Sequence, residues 1–238
     1  MKKNLQKVRK ELKENIDLEY KKGLERFFKE PIELYGVRAG IVRKIASKHW
    51  KKIKDLNKKE IFNLCEELLK SNYLEESTIT FTWARKKKDE FKKSDFIIFE
   101  NWLKKYVNTW SKCDDFCTHA FGELIFTFPE LLLKTEKWRR SKNRWVRRAA
   151  SIIFIHSIKQ KEKIYLKNIF EVSQYFIDIQ DEDDLVQKGY GWTLKEAANI
   201  YSQEVFDFVL KNKKIMPRTA LRYAIEKMPK DWKNQVMK

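Results

Sequence analysis

Turn-forming residues are scarce in this 238-residue chain. Six glycines and four prolines make up about 4% of it, where roughly 12% is usual. Strands reverse direction on such residues, which argues against an all-β fold and against an α/β fold with glycine-rich phosphate loops. Cysteine is equally sparse: Cys65, Cys113 and Cys117 are too few, and odd in number, for a disulfide framework, which fits a reducing cytoplasm. Long apolar runs are missing as well. The longest aliphatic or aromatic stretch, Ile152-Ile153-Phe154-Ile155, falls far short of the roughly 20 residues that span a bilayer. Residues 1–23 are basic but lack the apolar core of a signal peptide. The expectation is a soluble, cytoplasmic, monomeric protein with no membrane partner.

Acidic residues are also in short supply. Asp and Glu number 34 against 52 Lys and Arg, 40 of them Lys, for a net charge of +18. A lysine-rich genome would also tend to bring glutamate, so the shortfall predicts a polyanionic partner, nucleic acid ahead of an anionic membrane. Aromatic residues at 14%, eight of them Trp, exclude a disordered basic tail. The length suits one domain of this size or two small ones, with a real core.

What fills the chain is helical periodicity. Leu5, Val8, Leu12, Ile16 and Tyr20 step by three or four residues and predict one face of an opening helix. Segments 37–50, 58–70, 73–86, 93–107, 112–127, 143–158, 162–177, 182–200, 203–211 and 217–227 read as further helices. The Thr- and Ile-rich stretch 77–82 is kept helical because it runs straight into Trp83-Ala84-Arg85-Lys86. Second helices of successive pairs start near Val37, Tyr73, Cys113, Trp145, Leu185 and Pro217, at steps of about 32–40 residues, the spacing of two-helix repeats. The predicted fold is an all-α, HEAT-like helical-repeat solenoid with a basic concave face, with an α-bundle as the alternative. The breaks at Lys86-Lys87-Lys88, Phe128-Pro129, Gly189-Gly191 and Met216-Pro217 are short, so residues 1–238 read as a single domain.

Three segments combine aromatic and ionisable residues. In Trp110-Ser111-Lys112-Cys113-Asp114-Asp115, Trp110 and Asp114 share a helix face; a structural reading makes Ser111 and Asp114 a capping box instead. In Trp145-Val146-Arg147-Arg148-Ala149-Ala150, paired arginines beside small residues suit phosphate contact, or a plain solvated face. In Gln187-Lys188-Gly189-Tyr190-Gly191-Trp192-Thr193-Leu194-Lys195-Glu196, two glycines lie in a helical pattern, where each costs about 1 kcal/mol against Ala. Close approach of a ligand or a neighbouring helix would offset that cost, and a helix start at Gly191 would avoid it. Weaker signals carry little. Cys113, Cys117 and His119 lack a second ligand pair for zinc. The acidic run 178–184 lacks an EF-hand's glycine and closing glutamate and reads as a helix N-terminus. His49 and His156 show no partner. Neither metal nor cofactor is expected.

Taken in order, these segments resemble the DNA alkylation repair glycosylases of the AlkD type. That family shows a Trp four residues before an Asp, then Trp-x-x-Arg-x-Ala, then Gln-Lys-x-x-Gly-Trp-x-Leu-(Arg/Lys)-Glu. Tyr35-Gly36-Val37-Arg38 and Pro217-Arg218-Thr219-Ala220-Leu221-Arg222 match its first and last repeats, so the resemblance spans about residues 20–228. It implies a glycosylase that excises cationic N3- or N7-alkylated purines from double-stranded DNA and leaves the lesion largely stacked. Carried over, it makes Asp114 the catalytic carboxylate, Trp110 and Trp192 aromatic walls, and Arg148 the basic residue at the site. Arg147 is a substitute for Arg148, and Lys195 a further DNA contact. Ser111 follows Trp110 where the family often has Asp, and Asp115 beside Asp114 leaves two candidate acids, with the spacing from Trp110 favouring Asp114. The rival readings are a non-catalytic helical-repeat binder of DNA or RNA and a HEAT-type protein scaffold.

Overall fold

The computed structural model describes residues 2–161 and 165–238, and among them helix is the only regular structure. The chain forms two compact units, residues 1–120 and 121–238. The first contains α1 (Lys2–Glu14), α2 (Leu18–Glu25), α3 (Ala39–Trp50), α4 (Lys58–Leu69), α5 (Leu74–Arg85), α6 (Asp95–Tyr106) and α7 (Trp110–Thr118). Then come α8 (Ala120–Thr127), α9 (Leu132–Thr135), α10 (Arg144–Ile152), α11 (Ile155–Gln160), α12 (Leu166–Asp178), α13 (Asp184–Ala198), α14 (Ser202–Asn212), α15 (Arg218–Ile225) and α16 (Lys230–Met237). The helices α3, α5, α7, α10, α13 and α15 begin at 34–40-residue intervals, as a two-helix repeat requires. Within the first unit α5 packs on both α3 and α7, and within the second α13 packs on both α10 and α15.

The stretch 77–82 is helical because its hydroxyls bond within the helical layer rather than to a strand. Thr82 donates to the Thr78 carbonyl at 2.8 Å and Thr80 to the Cys65 carbonyl at 3.1 Å. The core of the first unit is aromatic. Trp83 is wholly buried and donates its indole N–H to the Ala46 carbonyl at 2.9 Å, tying α5 to α3. Phe81 stacks on Phe116 at 4.5 Å between α5 and α7. In the second unit Phe121 packs edge-on to Trp138, and Phe176 stacks on Tyr190.

The family-like Tyr35-Gly36-Val37-Arg38 segment proves to be a clamp. Three successive backbone N–H groups, of Tyr35, Gly36 and Val37, donate to the buried Glu75 carboxylate at 2.8–3.0 Å. Such a row of amides offsets the cost of burying a carboxylate. Beside it, Glu76 accepts from the Tyr35 hydroxyl at 2.7 Å and from Arg9 at 3.0–3.1 Å.

Several expected boundaries change. The opening helix breaks after Glu14: Asn15 folds its amide back onto the Glu11 carbonyl, and Asp17 caps α2 by accepting from the Tyr20 N–H at 2.9 Å. Ile16 is left exposed, off the face of Leu5, Val8 and Leu12. The expected helix 112–127 is two helices, because the His119 imidazole takes the Asp115 carbonyl, at 2.9 Å, that a continuing backbone would use. Likewise 143–158 divides at Ile153 and Phe154. The start of the expected helix 162–177 lies outside the described residues. Gly189 and Gly191 are no break: both lie inside α13, which starts at Asp184 with Asp183 as its cap. Cys113 and Cys117 face the core, wholly buried as free thiols.

Candidate active site and nucleic-acid interface

The sequence that begins α7 sets up the first half of the site. Thr109, in an extended conformation, caps the helix by accepting from the Lys112 N–H at 3.3 Å. The Ser111–Asp114 capping box is therefore not formed; Ser111 already sits inside the first turn. Trp110 is half-buried and stacks on Phe28 with ring centroids 5.3 Å apart. Phe28, from the loop before α3, fixes the plane of the indole, and no spacing rule in the sequence links the two. Asp114 follows one turn later on the Trp110 face and is half-exposed. Asp115 is committed elsewhere, to His119 Nδ1 at 3.0 Å.

Lys112 anchors this turn. Its ammonium is almost fully buried and donates to Asn72 O at 2.8 Å, Asn72 Oδ1 at 2.7 Å and Asn108 Oδ1 at 2.9 Å. Burial pushes it down to about 8, with Glu33 opposing. All three N–H donors are used, so Lys112 serves as a tether for the start of α7.

A cleft of about 640 Å³ opens in the first unit between α3, α5 and α7. Arg43 reaches it from α3, Arg85 from α5, Lys86 and Lys88 from the following turn, and Ser111, Asp115 and His119 from α7. Arg43 and Ser47 continue into a second, shallower groove of about 420 Å³ with Lys44, Lys48 and Lys51 along α3. Arg43 is exposed, and no described carboxylate pairs with it. The sequence carries a signal for this surface: Arg43, Ser47 and Lys51 repeat every four residues along one face of α3 and its C-cap.

The second unit uses its basic residues differently. Arg147 pairs with Asp181 at 2.9 Å and with Asp183 at 3.5 Å, and donates to the Ser141 and Lys142 carbonyls. Arg144 forms a bidentate pair with Asp183 at 2.7 and 2.9 Å. Burial alone would raise the Asp183 carboxyl, but these guanidinium groups hold it below its usual range. The acidic run is thus both the cap of α13 and the counter-charge of α10. Arg148 is buried and donates to the Leu185 carbonyl.

The two glycines of α13 are explained by neighbouring helices. A Cβ at Gly189 would stand 3.2 Å from the Arg148 Cγ, and one at Gly191 only 2.8 Å from the Ala220 carbonyl and the Tyr223 Cβ of α15. Trp192 is half-buried, its indole N–H held by Glu196 at 3.0 Å, with Lys159 over its face at 5.9 Å. Lys195 pairs with Glu226 at 3.0 Å. Within the first unit, then, Trp110 and Asp114 share α7; within the second, Arg147, Arg148, Trp192 and Lys195 lie on the packed pair α10 and α13.

Helices that recur at a regular interval along the chain, a carboxylate one turn from a supported Trp, and a cleft lined by Arg and Lys define an all-α helical-repeat protein with a surface suited to a polyanion. The DNA alkylation repair enzyme family matches residues 8–228, and the chain belongs to that family. Its fold is similar to the solved structure described as a predicted DNA alkylation repair enzyme from Enterococcus faecalis, with a TM-score of 0.79 at 16% identity over 91% of this chain and 98% of that one. No curated protein matches the sequence. Membership of the family gives the chain a role in the repair of alkylated DNA and, with it, DNA binding.

Proposed function

We propose that this protein is a monofunctional DNA glycosylase that hydrolyses the N-glycosidic bond of cationic N3- or N7-alkylated purines in duplex DNA, with residues 1–238 acting as one functional domain. The observation that carries this reading is the first half of α7, where Asp114 stands one turn from a Trp110 braced by Phe28. Asp115, which the sequence left as an alternative acid, is engaged by His119. The i+4 spacing from Trp110 favours Asp114 as the working carboxylate.

The chemistry suits such a group. An alkylated purine is already cationic and departs readily, and its departure leaves positive charge on the deoxyribose. Negative charge beside the sugar is therefore needed more than a proton donor. A carboxylate about 4 Å from a unit charge gains roughly 4 kcal/mol at an effective dielectric near 20. If about 3 kcal/mol of this is realised in the transition state, the rate rises roughly 150-fold. Trp110 supplies a face that attracts a cation by about 0.5–2 kcal/mol, the role that the resemblance also gives to Trp192 of the second unit. Arg148 and Lys195, the basic residues the resemblance assigns to the DNA, are occupied inside the second unit, Arg148 buried on the Leu185 carbonyl and Lys195 paired with Glu226. The cleft of the first unit grips phosphates through Arg43, Arg85, Lys86 and Lys88.

The test is release of 7-methylguanine from methylated duplex DNA. The wild-type protein releases the base, and Asp114→Asn lowers the rate on the order of 100-fold while DNA binding persists. A wild-type protein that binds DNA but releases no alkylated base overturns the glycosylase reading and leaves the non-catalytic binder.

A further inference from the structure

His119 closes α7 at the rim of the first-unit cleft, with nearly half its side chain exposed. Its Nδ1 faces the Asp115 carboxylate at 3.0 Å and the Asp115 carbonyl at 2.9 Å, and the Thr118 hydroxyl at 3.4 Å gives its own proton to the Asp114 carbonyl. Only an N–H satisfies both Asp115 acceptors, so the neutral ring carries its proton on Nδ1. The exposed nitrogen, Nε2, then accepts when the ring is neutral and donates when it is protonated. Among the described residues no group bonds to Nε2. This orientation by a carboxylate is the arrangement that prepares an imidazole to act through its other nitrogen.

We propose that His119 is a proton-dependent phosphate contact of this cleft: when protonated it adds one N–H donor and one positive charge to the anion site formed by α3, α5 and α7, and when neutral it withdraws both. The inference rests on the DNA-binding part of the reading above and is independent of base excision.

The surroundings isolate the effect. The charged groups that line the cleft with His119 are Arg43 from α3, Arg85 from α5, Lys86, Lys88 and Asp89 from the following turn, and Asp115 from α7 itself. Among the kinds of side chain that line the cleft, only an imidazole has an ordinary pKa between pH 5 and 8. The hydrogen bond that His119 donates to the Asp115 carboxylate raises the His119 pKa above its ordinary value, partial burial and Arg85 opposing. The negative end of the α7 dipole acts in the same direction as Asp115. A phosphate at Nε2 favours the protonated ring still further, so binding takes up a proton. DNA affinity accordingly rises as the pH falls through the His119 range and is lost as the pH climbs through it.

The experiment measures binding of an unmodified duplex by fluorescence anisotropy across a salt series, at about pH 5.5 and at about pH 8.5. Each phosphate contact to a cation contributes about −0.9 to the slope of log K against log[salt]. The wild-type slope is expected to be steeper by about that amount at the lower pH. His119→Gln removes the difference, His119→Lys keeps the steep slope at both pH values, and Asp115→Asn moves the midpoint of the change to lower pH. Melting temperatures of the variants establish that they are folded. Equal wild-type slopes at the two pH values, or a difference that survives in His119→Gln, overturns the proposal. Absence of binding at both pH values overturns the DNA-binding reading itself, and this inference with it.

Discussion

Arg43 and Arg147 are the same residue type on helices that occupy equivalent places in the repeat, yet their surroundings differ. Arg43 of the first unit projects into an open cleft without a carboxylate partner among the described residues. Arg147 of the second is locked to Asp181 and Asp183 and donates to two carbonyls besides. A cation can meet a phosphate only where the protein has not already supplied the counter-charge. The overall surplus of positive charge says that a polyanion is expected; the local pairing says which residues are available to it. The glycines make the same contrast. Gly40 of α3 has no atom within 4 Å of a Cβ position, whereas Gly191 of α13 lies against the backbone of α15. Gly40 and Arg43 leave the surface of α3 open at these positions, whereas Gly191 and Arg147 are used to join helices.

The largest effect that tests this contrast is expected at Gly191. A methyl group there would overlap the Ala220 carbonyl, so Gly191→Ala should cost about 2–3 kcal/mol, in the range of an overpacked contact. Thermal unfolding should register this as a loss of roughly 5–10 °C. Gly40→Ala should do the opposite, gaining up to about 1 kcal/mol of helix propensity. Equal outcomes at the two positions would remove the distinction between the units.

Arg147→Met comes next, with a loss of about 2 kcal/mol because two half-buried carboxylates lose a partner. Arg144, the main partner of Asp183, carries a companion signature, acid sensitivity. The depressed Asp183 carboxyl stabilises the fold above the unfolded pKa, and that contribution fades as the pH falls through its native value. Urea melts at neutral and acidic pH should therefore converge in Arg144→Met relative to wild type. The smallest effect is expected at Arg43: Arg43→Gln should weaken duplex binding by about 1 kcal/mol, flatten the salt slope by about 0.9, and leave the melting temperature unchanged. A stability loss at Arg43, or unchanged binding, would break the comparison.

Much of the architecture was legible because 3.6-residue periodicity is a local property of the chain. Leu5, Val8 and Leu12, or Cys113 and Cys117, are spaced so that any compact fold buries them on one side. Where the reading failed, a side chain competed with the backbone for its own hydrogen bonds. Asp17 caps a new helix, Thr109 takes the cap expected of Ser111, and the His119 ring ends α7. Such competition is settled by geometry that periodicity does not contain. At the site, the ordered Trp, Asp and Arg motifs drew attention to Trp110 and Asp114. Phe28 and the Lys112 anchor were not legible, because each bridges segments far apart in the chain.

Helix, repetition, positive charge and the likeness to DNA alkylation repair enzymes all follow from the order of residues, because composition, periodicity and motif order are properties of the chain before it folds. The use made of each charge follows from folding. Folding joined Arg144 and Arg147 to the acidic run, turned Asp115 toward His119, and left Arg43 open at a cleft. Coulomb energy depends on separation and on the water between charges, and neither can be read from the order of residues along a chain.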